Sequence, residues 1–247
     1  MEAWQDSNKV ESRAFQKIII AGVLSLFCAG CISTSGVGPA KNGDSKRSNF
    51  SYEEENGSNR PPILHTGSKF IYQDIRLSDG EISRVSMEVK EKKEFEHKQA
   101  YWVEVTGHEM DYFSIYDMNL NWIGLFGEGR KLESVEPCLQ IFKWPLRVGK
   151  KWDGKYTYRD SSDHSSGVYL HDSKINVNIR TYEEVRVPAG TFKALRIQAN
   201  NETLWYAPSV GWVVKEELNL NSEKRWIFEL VEYSIPKSTQ NHFHRQL

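Results

Sequence analysis

Two neighbouring pairs of histidine and aspartate are the candidates for metal chemistry in this sequence. Asp163-His164 and His171-Asp172 bracket a turn-like segment, and a hairpin there would bring the four side chains together. Imidazole and carboxylate are both zinc ligands, but a catalytic zinc commonly has three protein ligands around an open position. A metal-dependent hydrolase using His164 and His171 is therefore the least favoured hypothesis, and we expect no bound metal or other cofactor.

Nucleophilic catalysis has no recognisable residue set in this chain. Cys138 carries a thiol, but no histidine stands near it in a known local signature that would activate it. The sequence contains no GxSxG, HExxH, P-loop or dinucleotide-binding motif and no pair of CxxC motifs. We expect Cys138 to be a buried, inert thiol and the protein not to be an enzyme.

Three aromatic residues around a Pro/Gly turn are the best candidates for contact with a ligand: Trp205, Tyr206 and Trp212. A concave aromatic surface could bind acyl chains, glycan or peptide. Large aromatic side chains also fill and rim a β core, which is the more common use. A packed core and a lipid-binding groove would use the same alternating apolar residues, so both interpretations stay open.

A short basic stretch, LRVGKKW at 146–152, combines three cations with apolar residues. It could contact anionic lipid head groups. The favoured alternative is a solvated strand edge that lysines protect from pairing with other chains.

Composition excludes several classes of protein. The 247 residues carry 32 Lys and Arg against 33 Asp and Glu, a balance that argues against a nucleic-acid binder with a global basic field. Aromatic residues make up 12% of the chain, which suits a folded domain rather than a disordered one. Three cysteines are too few for a disulfide-rich scaffold.

The N-terminal thirty residues have the pattern of a secretory signal. Residues 18–30, IIIAGVLSLFCAG, are uncharged and apolar, and Arg13 and Lys17 precede them. A helix of this length would span about 20 Å, short of the roughly 30 Å hydrocarbon core of a bilayer.

The end of this segment, Ala29-Gly30-Cys31, resembles the lipobox of bacterial lipoproteins, although Cys28 stands where leucine is usual. The resemblance implies cleavage before Cys31 and its modification with a diacylglyceryl group and further acyl chains such as palmitate. Two or more chains anchor a protein stably in a membrane. Ile32 rather than Asp follows the cysteine, which by the enteric sorting rule favours the outer membrane and a periplasm-facing domain. The alternative is an ordinary secretory signal with an incidental cysteine.

Four segments follow from these patterns. We predict a signal peptide over 1–30, a lipidated cysteine with a flexible tether over 31–62, a β-rich domain over 63–236 and a flexible tail over 237–247. The tether is rich in Ser, Gly, Asn and Pro, and as a coil it would span about 30 Å.

The domain is predicted to be all-β, because β-branched and aromatic runs alternate with polar residues at period two and turn signals separate them. Predicted strands are 69–77, 81–90, 100–106, 111–118, 121–127, 138–144, 151–159, 167–180, 191–199, 211–218 and 224–233. This spacing favours a single antiparallel sandwich, an open barrel or a strongly curved sheet.

Residues 183–217 contain VPAGTF, a strand and then WYAPSVGWV. This resembles a recurrent pattern in poorly characterised, β-rich bacterial envelope proteins, and the resemblance implies a hairpin array rather than a reaction.

The favoured function is a membrane-anchored envelope lipoprotein with a non-enzymatic binding or structural role. Its partners would be the membrane, through Cys31, and a lipid, glycan or envelope protein, with no nucleic acid. The alternative is a carrier or chaperone for lipid or lipoproteins, which would need a continuous apolar cleft.

Overall fold

A computed structural model describes residues 57–107, 111–161, 168–221 and 224–236. The predicted signal peptide, Cys31, His164 and the predicted tail lie outside the described residues. Every regular element in the described ranges is a β-strand. No helix long and apolar enough to cross a membrane occurs there. The strands are β1 (Gly57–Ser58), β2 (Lys69–Arg76), β3 (Glu81–Phe95), β4 (Lys98–Thr106), β5 (Tyr112–Asp117), β6 (Trp122–Gly127), β7 (Arg130–Leu139), β8 (Leu146–Arg147), β9 (Lys151–Asp160), β10 (Tyr169–Val187), β11 (Gly190–Ala199), β12 (Glu202–Ala207), β13 (Trp212–Asn221) and β14 (Lys224–Ser234).

Twelve of these strands form a closed antiparallel barrel. Each barrel strand pairs with the next barrel strand along the chain, and β14 pairs with β2 to close the ring. The remaining two strands, β1 and β8, pair with each other outside it. The all-β prediction is confirmed. The predicted sandwich is wrong, and the barrel is closed rather than open, because pairing of the first and last strands leaves no free sheet edge.

The barrel interior is the hydrophobic core. Along β3, Val85, Met87 and Val89 are at most 1% exposed, while the residues between them are only partly buried. On β2, Phe70 and Tyr72 are buried in the same way. Because successive side chains of a strand point to opposite faces, this alternation turns the apolar set inward and the polar set outward.

A smaller aromatic cluster lies on the outer wall. Trp102 packs edge-on against Phe95, Phe113 and Phe126, with ring centres 5.2–5.8 Å apart. The Lys93 ammonium lies 3.8 Å from the centre of the Trp102 ring. Register shifts within β3–β4, between Val89 and Glu91, and within the neighbouring pairs β5–β6 and β6–β7 accompany this cluster. Bulges of this kind bend strands. The bend allows the barrel wall to curve around the aromatic side chains on its outer face.

One end of the barrel, here called the strapped end, carries the β3–β4, β5–β6 and β12–β13 turns and is crossed by the N-terminal segment. After β1 pairs with β8, Pro62 lies against Gly211, where an added methyl group would come within 3.1 Å of the Pro62 Cβ. The Leu64 amide then donates to the Tyr101 hydroxyl at 3.2 Å. The last residues of the segment predicted as a tether thus contact the barrel.

A loop over 140–145 closes the same end. The Asn121 carboxamide bonds to both backbone groups of Phe142, and the Trp144 indole N–H donates to the Asn119 carbonyl at 3.0 Å. The strand predicted over 138–144 is therefore wrong beyond Leu139. Its apolar residues are buried against the barrel end rather than in a sheet. An apolar run in a sequence indicates that the segment is buried, but it does not show whether the backbone pairs with another strand.

Candidate functional site

A cavity of about 40 Å³ lies inside the barrel near the strapped end. Five aromatic and five aliphatic side chains line it, together with one glutamate. They include Tyr72, Tyr116, Trp122, Phe142, Trp212 and Glu216. A space of this size holds one or two water molecules, whose share of liquid volume is about 30 Å³ each.

Trp212 is held in this wall by two aromatic neighbours. It stacks on Phe70 with ring centres 5.3 Å apart and meets Tyr116 edge-on at 5.2 Å. The Tyr72 hydroxyl donates to the Val213 carbonyl at 2.6 Å, and burial raises the pKa of Tyr72 and of Tyr116. These phenols therefore stay neutral near neutral pH.

Two buried glutamates on adjacent strands supply the polar part of the site. Glu202 on β12 and Glu216 on β13 are 1% and 2% exposed, and their carboxyl groups hydrogen-bond to each other. Burial is the main cause that raises the pKa of both groups, and the nearby Asp74 carboxyl raises that of Glu216 further. Two carboxyls can form this bond only if at least one carries a proton, so the pair retains a proton near neutral pH.

Glu216 faces the cavity with an oxygen that has spare bonding capacity. Its Oε2 atom is buried and has no hydrogen-bond partner among the described residues. Burial raises the pKa of Asp74 to about 6, although the nearby Arg76 guanidinium opposes the shift. An aromatic wall with a protonated carboxyl pair can bind a small polar group, and it offers no activated nucleophile.

Metal binding finds no support in the described ranges. No group of three or more His, Cys, Asp or Glu side chains there could hold a metal ion. The His171 ring stacks near Tyr169 with centres 6.3 Å apart, and Asp172 Oδ1 accepts from the Thr157 hydroxyl at 2.7 Å. Because His164 lies outside the described residues, its distance from His171 stays untested.

The predicted ligand contact Trp205 lies on the outer wall rather than in the cavity. Its indole N–H donates to Glu183 Oε1 at 2.8 Å. Arg196 and Lys215 lie 5.5 and 5.4 Å from its ring centre, and the residue is only 7% exposed. Charged side chains thus cover this indole.

The other two predicted contacts lie near the strapped end. Trp212 lines the cavity, and Tyr206 meets Phe142, another cavity residue, edge-on at 5.6 Å. Tyr206 also meets Trp144 at 5.5 Å. The structure therefore brings Tyr206 and Trp212 to one region and separates Trp205 from them. Ligand contact by all three stays a prediction.

Cys138 is half-buried on β7, beside the outer aromatic cluster. Burial raises the pKa of its thiol to about 11; the Asp117 carboxylate adds to the shift and Lys98 opposes it. The thiolate that nucleophilic catalysis needs is therefore scarce at neutral pH.

The sequence interpretation missed the glutamate pair, although β13 carried a signal for it. Trp212, Val214 and Leu218 alternate along this strand, and Glu216 occupies the same buried phase. A charged residue in the inward register of an apolar strand marks a buried polar site.

The cavity beside Trp212 is not the continuous aliphatic cleft that an acyl-chain carrier would need. Its volume of about 40 Å³ is far below the roughly 300–1,000 Å³ of small-molecule pockets, and aromatic and aliphatic side chains share its walls equally. This counts against the carrier hypothesis.

Comparisons with known proteins give only distant likenesses. No family model and no curated protein matches the chain. Similar solved structures include a protein assigned as exported, with a YmcC-like fold, from Bacteroides fragilis (15% identity, TM-score 0.42, 72% of this chain and 99% of that one). Another is a protein assigned as a lipoprotein from Parabacteroides distasonis (11% identity, TM-score 0.36, 73% of this chain and 100% of that one). A third is the hypothetical lipoprotein YmcC from Escherichia coli (8% identity, TM-score 0.39, 68% of this chain and 85% of that one). Likenesses this weak carry no conclusion about the function of this chain.

Proposed function

We propose that this chain is a lipid-anchored protein of the bacterial cell envelope, with a non-enzymatic binding or structural role. The observation that carries the proposal is Cys31, which follows Ala29-Gly30 at the end of a short apolar run with cations before it. Cleavage before Cys31 and acylation with palmitate and related chains would hold the protein in a membrane. The outer membrane, with the barrel facing the periplasm, is the proposed location.

The interior of the barrel supports a binding or structural role. Its apolar side chains pack together, and its buried carboxyls on β12 and β13 retain a proton near neutral pH. Anchoring would confine such a domain to a membrane surface and raise its effective concentration there. Tyr206 and Trp212 at the strapped end, and Trp205 separately on the outer wall, are the proposed contacts for a lipid, glycan or protein ligand.

The anchor is tested by replacing Cys31 with alanine in the native host. We expect Cys31→Ala to abolish incorporation of a palmitate analogue and to move the protein from the membrane to the soluble fraction. The matched control is Cys138→Ala, which removes the half-buried thiol of β7 and should change neither result. Unchanged labelling and membrane association of Cys31→Ala would overturn the proposal.

A further inference from the structure

A tight turn lies at the strapped end between β8 and β9, where the Gly149 amide donates to the Ile179 carbonyl of β10 at 2.8 Å. The Lys150 amide donates to the Arg147 carbonyl at 3.1 Å, and Gly149 has a φ of +86°. These features suit a type II turn with glycine at its third position. Val148 therefore stands at the tip, where it is 41% exposed.

Four cations surround this tip. Arg147 and Lys150 are the two ends of the turn, Lys151 follows, and Lys143 precedes it in the closing loop. The Lys150 ammonium donates to the Lys143 carbonyl and, at 2.8 Å, to the Pro145 carbonyl, which fixes the loop beside the turn. Burial lowers the pKa of Lys150, and the charges of Lys143 and Arg147 lower it further, so the cations are close enough to repel one another.

In the part of the chain that the structure describes, no carboxylate oxygen lies within 4 Å of the Lys143, Arg147, Lys150 or Lys151 side chains. The exposed hairpin at the opposite end differs. There Leu77 and Ile82 are exposed, but Arg76 is paired with both Asp79 and Glu81. Within the described residues, apolar exposure combined with positive charge that no carboxylate pairs is thus found at the turn and not at that hairpin.

The first described residue, Gly57, lies at the strapped end. β1 pairs with Arg147 itself, through Gly57, and 25 residues separate Gly57 from Cys31. Ile63, on the segment that crosses this end, is 69% exposed. The turn and the first described residue therefore share one end of the barrel.

We propose that this basic turn docks on the surface of an anionic phospholipid bilayer, the same membrane that holds the anchor. The inference deepens the proposed function and takes the anchored location from it. Lysine and arginine near an anionic leaflet attract its head groups, and an exposed apolar side chain between them enters the interface. Val148 occupies that place, with Arg147 on one side and Lys150 and Lys151 on the other. The barrel then lies with its strapped end on the membrane.

The test measures how far a cysteine at the tip is shielded by lipid. Full-length Val148→Cys and, as the matched control at the opposite end, Ile82→Cys are made in a Cys138→Ala background. Each is added to preformed vesicles of phosphatidylcholine alone or of equal parts phosphatidylcholine and phosphatidylglycerol. Alkylation by a charged, water-soluble maleimide is read at each position by peptide mass spectrometry.

We expect alkylation at position 148 to slow several-fold in the vesicles with phosphatidylglycerol and not in those without it. Position 82 should react equally in both. Raising the salt from about 0.1 M to about 1 M shortens the Debye length from about 10 Å to about 3 Å and should restore reaction at position 148. Equal reaction at position 148 in both vesicle types would overturn the proposal.

A variant without the basic charges separates the electrostatic attraction of the turn to the bilayer from the effect of the shape of the turn. Lys143→Gln, Arg147→Gln and Lys151→Gln together remove three surface charges and should weaken docking about a hundredfold. Arg84→Gln, Lys155→Gln and Lys174→Gln remove three exposed charges from the barrel wall and should leave it unchanged. Equal protection in the two triple variants would also overturn the proposal.

The same spectra report on Cys31. An acylated Cys31 with a freely reacting position 148 refutes docking and leaves the proposed anchor intact. A bare Cys31 with a protected position 148 refutes the anchor and supports docking of the turn.

Discussion

Asn121 and Phe142 exchange two hydrogen bonds across the strapped end of the barrel. Asn121 Nδ2 donates to the Phe142 carbonyl at 3.1 Å, and the Phe142 amide donates to Asn121 Oδ1 at 2.8 Å. Both residues are buried, at 2% and 6% exposure. One carboxamide thus satisfies both backbone groups of a loop residue that has no strand partner, which is why the loop over 140–145 can close the barrel without joining the sheet.

Replacing this carboxamide should therefore destabilise the protein. Asn121→Ala leaves a buried donor and a buried acceptor without partners, and we expect the free energy of unfolding to fall by about 2–4 kcal/mol. Urea denaturation followed by tryptophan fluorescence measures the change. Asn119→Ala is the matched control, because its side chain is exposed and its backbone bonds remain. Equal stability of the two variants would contradict this account of the loop.

Leu120 is strained by the turn that positions Asn121. It is buried at 3% exposure and has a φ of +67°, a left-handed conformation that costs a non-glycine residue about 1–2 kcal/mol. Asp117 Oδ1 fixes this turn by accepting from the amides of Asn119 and Asn121, both at 2.8 Å.

The strain predicts an inverted order of stability for two variants. Both Leu120→Gly and Leu120→Ala lose the buried side chain, but glycine relieves the backbone, so it should be more stable than alanine by about 1 kcal/mol. At the exposed strand residue Glu184, the same pair of substitutions should show the ordinary order, with alanine more stable. Thermal or urea unfolding measures the stability of the four variants. If the alanine variant is the more stable one at both positions, the backbone of Leu120 is not strained.

Trp212 and Trp205 offer a contrast between the interior and the outer wall. Trp212→Ala should lower the free energy of unfolding by about 3–5 kcal/mol, because its stacking partner Phe70 stays in place and a void remains. Trp205→Ala should cost less, about 1–3 kcal/mol, since Arg196 and Lys215 can close over the gap on the wall. Denaturant titration measures both values, and a larger loss for Trp205→Ala would contradict these placements.

The strand predictions rested on the local alternation of apolar and polar residues, which could not predict the closure of the barrel. Val85, Met87 and Val89 identify β3 because every second residue is apolar, and the same pattern locates most of the other strands. The pairing of β14 with β2 joins residues such as Phe70 and Tyr233, which are far apart in the chain. No local sequence pattern predicts that contact, because the contact depends on the number and tilt of all the strands between β2 and β14.

The candidate site was predictable only in part. Trp212 was identified from its place beside a Pro/Gly turn, and it does line the cavity. Trp205, from the same stretch, points to the opposite face, because it neighbours the cavity residue Leu204 on β12 and successive side chains of a strand alternate. Glu216 was passed over because a glutamate in a mixed-charge strand is usually solvated, although it stands in the same alternating phase as Trp212 and Val214.

The buried pair Glu202 and Glu216 predicts that stability falls as the pH rises. Burial raises the pKa of both carboxyls in the folded protein above the roughly 4.3 of an unfolded glutamate. The folded state therefore binds protons more tightly than the unfolded state. The stabilisation is complete below the unfolded pKa and is lost as the pH rises through the folded values. The unfolding free energy should thus decline from about pH 5 to about pH 9.

The double variant Glu202→Gln and Glu216→Gln should remove most of that decline, because glutamine keeps the shape and a hydrogen bond but does not titrate. Urea midpoints measured across the pH range give the slope for each protein. Glu184→Gln, at an exposed position on β10, is the control and should keep the slope of the unsubstituted protein. Since the buried pair of the control loses its proton only as the pH rises, the difference between the double variant and the control should be greatest at alkaline pH. A slope equal in all three proteins would show that these carboxyls do not hold a proton in the folded barrel.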